Sequence, residues 1–313
     1  MSDTSRRRPI IICSGASSFD SIFRMERLPT GPGKVLPKEA IQVAHGMAAS
    51  AAAAVARLGG TSVLFSRVGD DDVGARIIGD LTRAGVDCSH IRRAAGVRSP
   101  ICTVLVDEDG ERLVVPFYDP ALGRDPSWLP LDLIDEADAV LVDVRWPEGA
   151  AAVLKRARAV GIPALLDADV GPVEVLRALA ACASHIVFSE PAALLVSNET
   201  EPRAALDTLA RRYEAAFVAV TLGPEGCIWL DRESGTIRQL RPPAVVAVDT
   251  LAAGDVFHGA FVLALAEGAA VPHAVAFANA AAALKCRTFG GRLGTPDREE
   301  VEAMLGSERI DER

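Results

Sequence analysis

Two hydrophobic periods alternate along the chain between residues 138 and 221. Short apolar runs rich in Val, Ile and Leu are typical of strands buried on both faces, and the segments between them have a helical spacing of apolar residues. The predicted strands are Ala139–Asp143, Ala164–Ala168, His185–Phe188, Ala216–Thr221 and, further along, Ala244–Val248. The predicted helices lie at about 147–160, 172–182 and 202–215. This alternation predicts right-handed crossovers and a mainly parallel sheet.

The amino-terminal half follows the same pattern. Pro9–Gly15 and Thr61–Gly69 are predicted strands, and the alanine-rich segment Gly46–Leu58 is a predicted helix that ends at two glycines. A chain of 313 residues has ample material for one large hydrophobic core. We therefore expect an α/β fold in which residues 1–313 form one domain.

Two segments, at about 23–44 and 97–118, interrupt this rhythm. The first contains three prolines and two glycines between short alternating stretches, which is typical of exposed strands and turns. In the second, Ile101–Val106 and Arg112–Val115 are predicted to form a hairpin around a turn at 107–110. Together the two segments predict a small β-sheet outside the main one.

Polar residues cluster where the predicted strands end. In parallel sheets, ligands bind at the carboxyl ends of the strands. The residues at or just past those ends are Asp143, Arg145, Asp167, Asp169, Ser189, Glu190, Thr221, Gly223 and Asp255. This convergence indicates an enzyme.

The segment from residue 244 to residue 260 combines a predicted strand, a turn of small residues and a helix over Val256–Leu265. A helix amino terminus presents free backbone N–H groups and a partial positive charge, which together bind anions. Asp255 lies at this point. It is either a first-turn residue that interacts favourably with the helix dipole or a general base beside a bound phosphoryl group.

Composition narrows the function classes. The net charge of −9 argues against nucleic acid as a partner, because binding a phosphate backbone needs a basic surface. The six cysteines are widely spaced and the five histidines lack zinc-ligand spacing, so we expect free thiols and no zinc site. Neither a signal-peptide core nor an apolar run of membrane-spanning length occurs, so we expect a cytoplasmic protein with no membrane partner.

The segment Asp249-Thr-Leu-Ala-Ala-Gly-Asp255 resembles the Asp-Thr-x-Gly-Ala-Gly-Asp signature of the ribokinase-like (pfkB-type) carbohydrate kinases. The resemblance implies a three-layer α/β/α sandwich with a small β-sheet lid, and transfer of the ATP γ-phosphoryl group with Mg²⁺. It leaves a monovalent cation such as K⁺ open as a further requirement. The backbone N–H groups of Ala252, Ala253, Gly254 and Asp255 would hold the phosphoryl group, and the Asp255 carboxylate would be the base. Ala252 replaces a glycine, which backbone at negative φ tolerates and backbone at positive φ does not.

The same resemblance assigns residues to the two substrates. Asp20 matches the aspartate that binds sugar hydroxyls, although an aspartate after a strand is also an ordinary turn residue. Gly46 lies in a stretch that partly matches the family's sugar-contacting glycines. The residues implied for ATP are Thr221, Gly223, Gly226, Thr250 and Asn279, with the loop 287–294 beside them. Each of these has an equally simple structural interpretation as a turn or surface residue.

The metal assignment is weaker. Ser189-Glu190-Pro191 stands where many family members have Asn-x-x-Glu, a motif linked to Mg²⁺ and the phosphates. Ala192 occupies the place of that glutamate, so only Glu190 remains for a related task, indirectly through water.

Arg145 and Lys34 bear on the sugar. An arginine past a buried strand either pairs with a neighbouring carboxylate, such as Asp143 or Asp167, or faces a cleft. Asp143-Val-Arg-Trp146 and other short stretches resemble the sulfofructose kinases within this family. That resemblance implies that Arg145 and Lys34 hold an anionic group on a ketohexose.

A third contact of that subgroup, an asparagine, is not matched, because Pro116 and Phe117 stand at its place. A neutral-sugar kinase such as a fructokinase or ribokinase, a nucleoside kinase, and a non-catalytic sugar- or nucleotide-binding relative therefore remain alternatives. Because lids of this kind often form dimer faces, we also expect a homodimer through the β lid.

Overall fold

The structure, a computed structural model, describes residues 7–108 and 110–311, with side chains as far as Ser307. Its strands are β1 (Ile10–Ser14), β2 (Ser18–Arg24), β3 (Glu39–His45), β4 (Thr61–Gly69), β5 (Val86–Asp87), β6 (Ile91–Ala94), β7 (Ile101–Val106), β8 (Arg112–Phe117), β9 (Ala139–Val142), β10 (Ala164–Ala168), β11 (His185–Ser189), β12 (Phe217–Thr221), β13 (Cys227–Asp231) and β14 (Thr236–Leu240). Its α-helices are α1 (Met47–Arg57), α2 (Asp72–Arg83), α3 (Pro147–Val160), α4 (Val173–Ala180), α5 (Glu190–Ser197), α6 (Pro202–Arg212), α7 (Ala253–Ala266), α8 (Val271–Lys285) and α9 (Arg298–Asp311). Short 3₁₀ turns lie at Pro120–Leu122, Leu131–Glu136, Gly223–Glu225 and Gly291–Gly294.

The main sheet has the order β14-β13-β12-β11-β10-β9-β1-β4-β5, with β6 paired to β4. Along this order, neighbouring strands pair in parallel from β12 through β11, β10, β9, β1 and β4 to β5, and β13 and β14 add an antiparallel edge. Alternate residues of the central strands enter different cores: Cys13 and Leu141 pack with α1, α7 and α8, whereas Ile12 and Val140 pack with α3 to α6. This is the predicted three-layer α/β/α sandwich.

Most of the predicted elements are confirmed. The strands expected at 139–143, 164–168, 185–188 and 216–221 correspond to β9 to β12, and the helix expected at 147–160 is α3. The part of the chain that the structure describes has no helix long and apolar enough to span a membrane. All six cysteines are free, and four of them are buried.

One strand was predicted wrongly. Residues 244–248 form no strand, and the side chain of Val246 is 86% exposed. The sheet edge that this segment would need is occupied by β13 and β14, and Pro242 and Pro243 remove two backbone donors just before it. The segment instead runs toward α8, where the Cys286 carbonyl accepts the N–H groups of Val248 and Asp249.

The predicted second sheet is present, with different bounds. It has four strands in the order β3-β2-β7-β8 and begins at Ser18 rather than near residue 23. Residues 25–38 form a loop rather than exposed strands. The predicted turn at 107–110 includes residue 109, which lies outside the described residues. The inner face of this sheet packs on the body through a cluster that includes Ile22, Leu251 and Phe289.

Candidate active site

Asp143 connects three segments at the carboxyl end of the sheet. Its carboxylate is fully buried and accepts the backbone N–H groups of Ala16 at 2.7 Å, Ala48 at 3.0 Å and Arg145 at 2.8 Å. A Cβ atom at Gly15 would lie 2.2 Å from this carboxylate, so only glycine fits there. Asp143 therefore fixes the loop after β1, the start of α1 and the backbone of Arg145, and its role is structural.

Asp20 lies in β2 beside this junction. It is 4% exposed, its Oδ1 accepts a hydrogen bond from Ser18 Oγ at 2.6 Å, and its Oδ2 lies 3.5 Å from His45 Nδ1. Burial raises the pKa of Asp20 to about 6, partly offset by the Ser18 hydroxyl. Gly46 connects β3 to α1 at φ 107°, and a Cβ atom there would lie 2.6 Å from the Ala16 carbonyl oxygen.

His45 is a further candidate for this end of the site. Burial lowers the pKa of His45 to about 3, with the nearby charges of Arg292 and Lys285 acting in the same direction, so the imidazole is neutral. Its Nε2 is buried and has no hydrogen-bond partner within the described residues. A buried polar atom without a partner is costly unless a ligand satisfies it. The signal in the sequence was the position of His45 directly before Gly46.

The signature loop leads into α7. Ala252 has φ 65° and ψ 6°, the left-handed conformation that alanine adopts only with strain. Alanine would be tolerated at this position with a negative φ, but the structure gives Ala252 a positive φ. The Ala253 N–H donates to the Thr250 carbonyl at 3.2 Å, so it is not free as predicted. The N–H groups of Ala252, Gly254 and Asp255 have no acceptor among the described residues, and we refer to these three as the open N–H groups.

Asp255, in the first turn of α7, is half-buried and has no hydrogen bond or ion pair with any described residue. Burial raises the pKa of Asp255 well above its usual value, and the charges of Asp167 and Asp169 raise it further. A raised pKa makes the carboxylate a stronger base for a hydroxyl proton. The sequence placed Asp255 correctly beside the open N–H groups.

Arg112 is a residue that sequence reasoning missed. It is the first residue of β8, and its Nη1 donates to the Thr250 carbonyl at 3.3 Å and to Thr250 Oγ1 at 3.4 Å. Its guanidinium lowers the pKa of Asp255, against the larger upward effects of burial and of the neighbouring aspartates. The second sheet thereby places a positive charge against the signature loop. No local pattern in the sequence marks a pair 138 residues apart.

Two of the five proposed nucleotide residues, Gly226 and Asn279, meet at the Leu240 carbonyl. Gly226 has φ 84°, and a Cβ atom there would lie 2.0 Å from this oxygen. Asn279 is buried, and its Nδ2 donates to the same oxygen at 2.9 Å, which is a structural contact. Thr221 ends β12 with its hydroxyl 3.3 Å from the Phe188 carbonyl. Gly223 follows at φ 55°, with open space where a Cβ atom would be.

The guanidinium of Arg145 forms an ion pair with neither of the two carboxylates suggested from sequence, although the Arg145 backbone N–H donates to Asp143. Its Nη1 donates to the Val170 carbonyl at 3.0 Å, and its Nη2 lies 3.5 Å from Asp169. Asp169 also accepts the Ser189 hydroxyl at 2.8 Å, directly before Glu190, which begins α5. The guanidinium side chain remains 35% exposed.

Two further assignments concern Mg²⁺ and Lys34. Within residues 7–108 and 110–311, no group of three His, Cys, Asp or Glu side chains could hold a metal ion unaided. Lys34 lies exposed in the loop 25–38, and no described hydrogen bond or ion pair connects it to Arg145.

The sequence matches one family over most of its length. Residues 11–298 match the model of the pfkB family carbohydrate kinases. An ATP-dependent ribose-1-phosphate kinase from Halopiger xanaduensis is 31% identical, over 96% of this chain and 99% of that protein. A ribokinase from Bacillus subtilis is 30% identical, over 93% of this chain and 97% of that protein.

Solved structures agree with this match. A crystal structure from Agrobacterium tumefaciens, described only provisionally as a ribokinase, is 50% identical with a TM-score of 0.93, over 96% of this chain and 99% of that one. Arabidopsis thaliana ribokinase, in complex with ribose and ATP, has a TM-score of 0.82 at 24% identity, over 95% and 99% of the two chains, and shows the common fold. The chain therefore belongs to the pfkB family of carbohydrate kinases and is an ATP-dependent phosphotransferase.

Proposed function

We propose that the enzyme transfers the γ-phosphoryl group of ATP to a hydroxyl of a ketohexose-type sugar, with Asp255 as general base. The observation that carries this proposal is an unpaired, half-buried carboxylate directly beside open N–H groups at the start of α7. Asp255 takes the hydroxyl proton, the sugar oxygen bonds to the γ-phosphorus, and the bond to the β–γ bridging oxygen breaks to release ADP. Positioning and electrostatics supply most of such catalysis.

Two sets of donors in the chain would balance the negative charge of the transferred phosphoryl group. The N–H groups of Ala252, Gly254 and Asp255 face it from α7, and the Arg112 guanidinium approaches from the second sheet. Mg²⁺ would neutralise the ATP phosphates, with Asp169 and Glu190 as its water-mediated partners. A second sheet that covers this site would act as a lid and exclude water.

The remaining assignments follow the same geometry. Asp20 and Gly46 would hold sugar hydroxyls, with His45 Nε2 as a further partner. The residues proposed to line the ATP site are Thr221, Gly223, Gly226, Thr250 and Asn279, of which Asn279 acts through the Leu240 carbonyl. Free thiols at all six cysteines support a reducing, cytoplasmic setting.

An anionic sugar is the second candidate, and Arg145 favours it. Its guanidinium is partly exposed at the end of β9, although Asp169 already neutralises some of its charge. The Halopiger xanaduensis relative is named for a phosphorylated sugar, whereas the Bacillus subtilis ribokinase is named for a neutral one. Lys34 would contribute only if the loop 25–38 moved toward the cleft or belonged to a neighbouring subunit.

A coupled ADP-release assay with Mg·ATP tests the proposed function. The panel is fructose, ribose, tagatose 6-phosphate, fructose 6-phosphate, 6-sulfofructose, ribose 1-phosphate and adenosine. Turnover with fructose that Arg145→Ala leaves unchanged supports the ketohexose proposal, whereas a preference for ribose would replace it with a ribokinase activity. A preference for an anionic sugar whose KM rises roughly 10- to 10²-fold in Arg145→Ala supports the second candidate. The matched control is Arg211→Ala, because Arg211 forms an exposed ion pair with Asp207 on α6 and neither residue is assigned to the site.

Failure of this assay also has a definite meaning. Measurable ATP binding without turnover of any sugar would favour a non-catalytic relative over an enzyme with Asp255 as base. Adenosine as the preferred acceptor would instead identify a nucleoside kinase.

We further propose a homodimer through the second sheet. Strand β8 lies at its edge and exposes Leu113, Val114 and Val115, an arrangement that invites pairing with another chain. Sedimentation equilibrium should give a dimer for the wild type and a monomer for Val115→Lys. Val160→Lys, at an exposed valine on α3, should stay dimeric. A monomeric wild type would refute the proposal.

A further inference from the structure

Lys285 is a completely buried cation at the end of α8. Its Nζ donates to the Asp249 carbonyl oxygen at 2.5 Å and lies 3.4 Å from Asp249 Oδ2. Both side chains of the pair have 0% relative exposure. Burying an ammonium group is costly unless a partner compensates it, and Asp249 is the compensating charge. The mechanism described above makes no use of this pair.

Asp249 connects this ion pair to the backbone of the signature loop. Its Oδ1 accepts the Leu251 N–H at 2.8 Å, and its Oδ2 accepts the N–H groups of Gly290 at 2.9 Å and Gly291 at 2.8 Å. The Lys285–Asp249 pair therefore joins the end of α8, the glycine turn and the first residues of the signature loop. The open N–H groups at the start of α7 follow only a few residues later in the same loop.

A monovalent cation does not fit this junction. Such ions bind to carbonyl and carboxylate oxygens, as other hard cations do. The Asp249 carbonyl and Oδ2 already face the Lys285 ammonium. The Cys286 carbonyl accepts the Val248 N–H at 2.7 Å and the Asp249 N–H at 3.1 Å. These Asp249 and Cys286 oxygens at the start of the loop thus already face the chain's own donors.

We propose that Lys285 is a positioning residue whose ammonium group takes the place of a bound monovalent cation under the signature loop. Phosphoryl transfer by this enzyme therefore needs no added K⁺. This inference rests on the proposed function for its kinetic effects, whereas the absence of a K⁺ response can be measured on the protein without any sugar.

The first measurement is thermal unfolding of the wild type, titrated with KCl against a tetramethylammonium salt at fixed ionic strength. We expect no difference between the two salts. A specific rise of the unfolding temperature with K⁺ would overturn the inference. Because no turnover is involved, this result is independent of the sugar and separates failure of the inference from failure of the proposed function.

The second measurement uses Lys285→Met, which keeps the length and removes the charge. We expect kcat to fall roughly 10²-fold, the loss typical of a reacting group misplaced by about 1 Å, with the KM for ATP little changed. K⁺ should restore part of kcat and raise the unfolding temperature of this variant only. Lys155→Met, at an exposed lysine on α3, should behave as the wild type in both salts.

Two results would contradict the inference in these kinetics. One is a wild type whose kcat rises severalfold with K⁺, and the other is Lys285→Met with unchanged kcat in the tetramethylammonium salt. If Lys285→Met does not fold, Lys285→Gln provides the test, since its amide can still donate to the Asp249 carbonyl. We then expect folded protein with lowered kcat that K⁺ partly restores, and full kcat without K⁺ would overturn the role of the charge.

Discussion

The two aspartates that bound the signature loop have the same side chain and opposite surroundings. Asp249 is 1% exposed, and its carboxylate accepts three backbone N–H groups and faces the Lys285 ammonium. Asp255, six residues later, is half-buried and has no described partner. A buried carboxylate with all its acceptors used stabilises a fold, whereas one without partners costs stability and is kept for chemistry.

The difference separates structural from chemical roles within one motif. Burial and the nearby charges of Asp167 and Asp169 raise the pKa of Asp255, so its environment makes it a better base. The contacts of Asp249 hold its loop against the glycine turn at 290–291. We therefore expect substitution of the two residues to produce opposite patterns of loss.

Asp255→Asn should give the largest kinetic effect. The amide keeps the shape but cannot take a proton, so we expect kcat to fall about 10²–10⁴-fold. The unfolding temperature should stay the same or rise slightly, because an unpaired half-buried charge is removed. Steady-state kinetics and thermal unfolding measure the two effects on the same preparation.

The matched control is Asp249→Asn, which leaves the Lys285 ammonium without its counter-charge. Removing one partner of a buried pair costs about 3–5 kcal/mol, so this variant should lose much of its stability. Equal turnover in Asp255→Asn and the wild type would remove Asp255 from the mechanism. A stability loss in Asp255→Asn as large as in Asp249→Asn would erase the distinction between the two residues.

A smaller effect, on sugar binding, is expected for Asp20, which is proposed to hold sugar hydroxyls. Burial raises its pKa to about 6, so the carboxylate is ionised above that pH and accepts hydrogen bonds from sugar hydroxyls. As the pH falls through 6 the carboxyl becomes protonated, and the sugar Kd should rise by up to about tenfold per pH unit. Calorimetric titration with sugar alone, between about pH 5 and pH 8, measures this without interference from Asp255 as base.

Asp20→Asn provides the control for this pH dependence. Its sugar Kd should be higher than that of the wild type and nearly constant with pH. If the variant showed the same rise in Kd below pH 6, a group other than Asp20 would control sugar binding.

The comparison also shows what the sequence could predict. The central strands were predicted because strands buried on both faces are continuous apolar runs, and the position of Asp255 at a helix start was predicted because it follows small residues. The run at 244–248 has the same composition but lies outside the sheet, because β14 already occupies the edge. An apolar run shows that a segment can be buried. Whether the segment joins the sheet depends on whether the topology leaves a sheet edge free for it.

Contacts between distant residues were beyond sequence reasoning. Lys285 and Asp249 are 36 residues apart, and Arg112 and Thr250 are 138 apart. Lys285 occurs in an apolar helical stretch whose pattern gives no sign that its amine is turned inward.

The antiparallel strands β13 and β14 were also missed, although the polar cluster at 232–235 between two alternating segments is a usable hairpin signal.

The smallest expected effect tests the strained residue between the two aspartates. Ala252 holds φ 65°, where a Cβ atom costs about 1–2 kcal/mol and glycine avoids this cost. Glycine also loses more entropy on folding, so Ala252→Gly should stabilise the protein by no more than about 1 kcal/mol. We expect a small increase in the urea midpoint and a kcat within a few-fold of the wild type, because the loop N–H groups remain.

Asn198→Gly is the matched control for this substitution. Asn198 has φ 63° at the end of α5 and is the other described non-glycine residue with positive φ. Asparagine tolerates this conformation better than alanine, so the control should change stability less and leave kcat unchanged. If Ala252→Gly lost as much turnover as Asp255→Asn, the rigidity of the loop would matter as much as the base. The contrast between the two aspartates would then extend to the backbone that connects them.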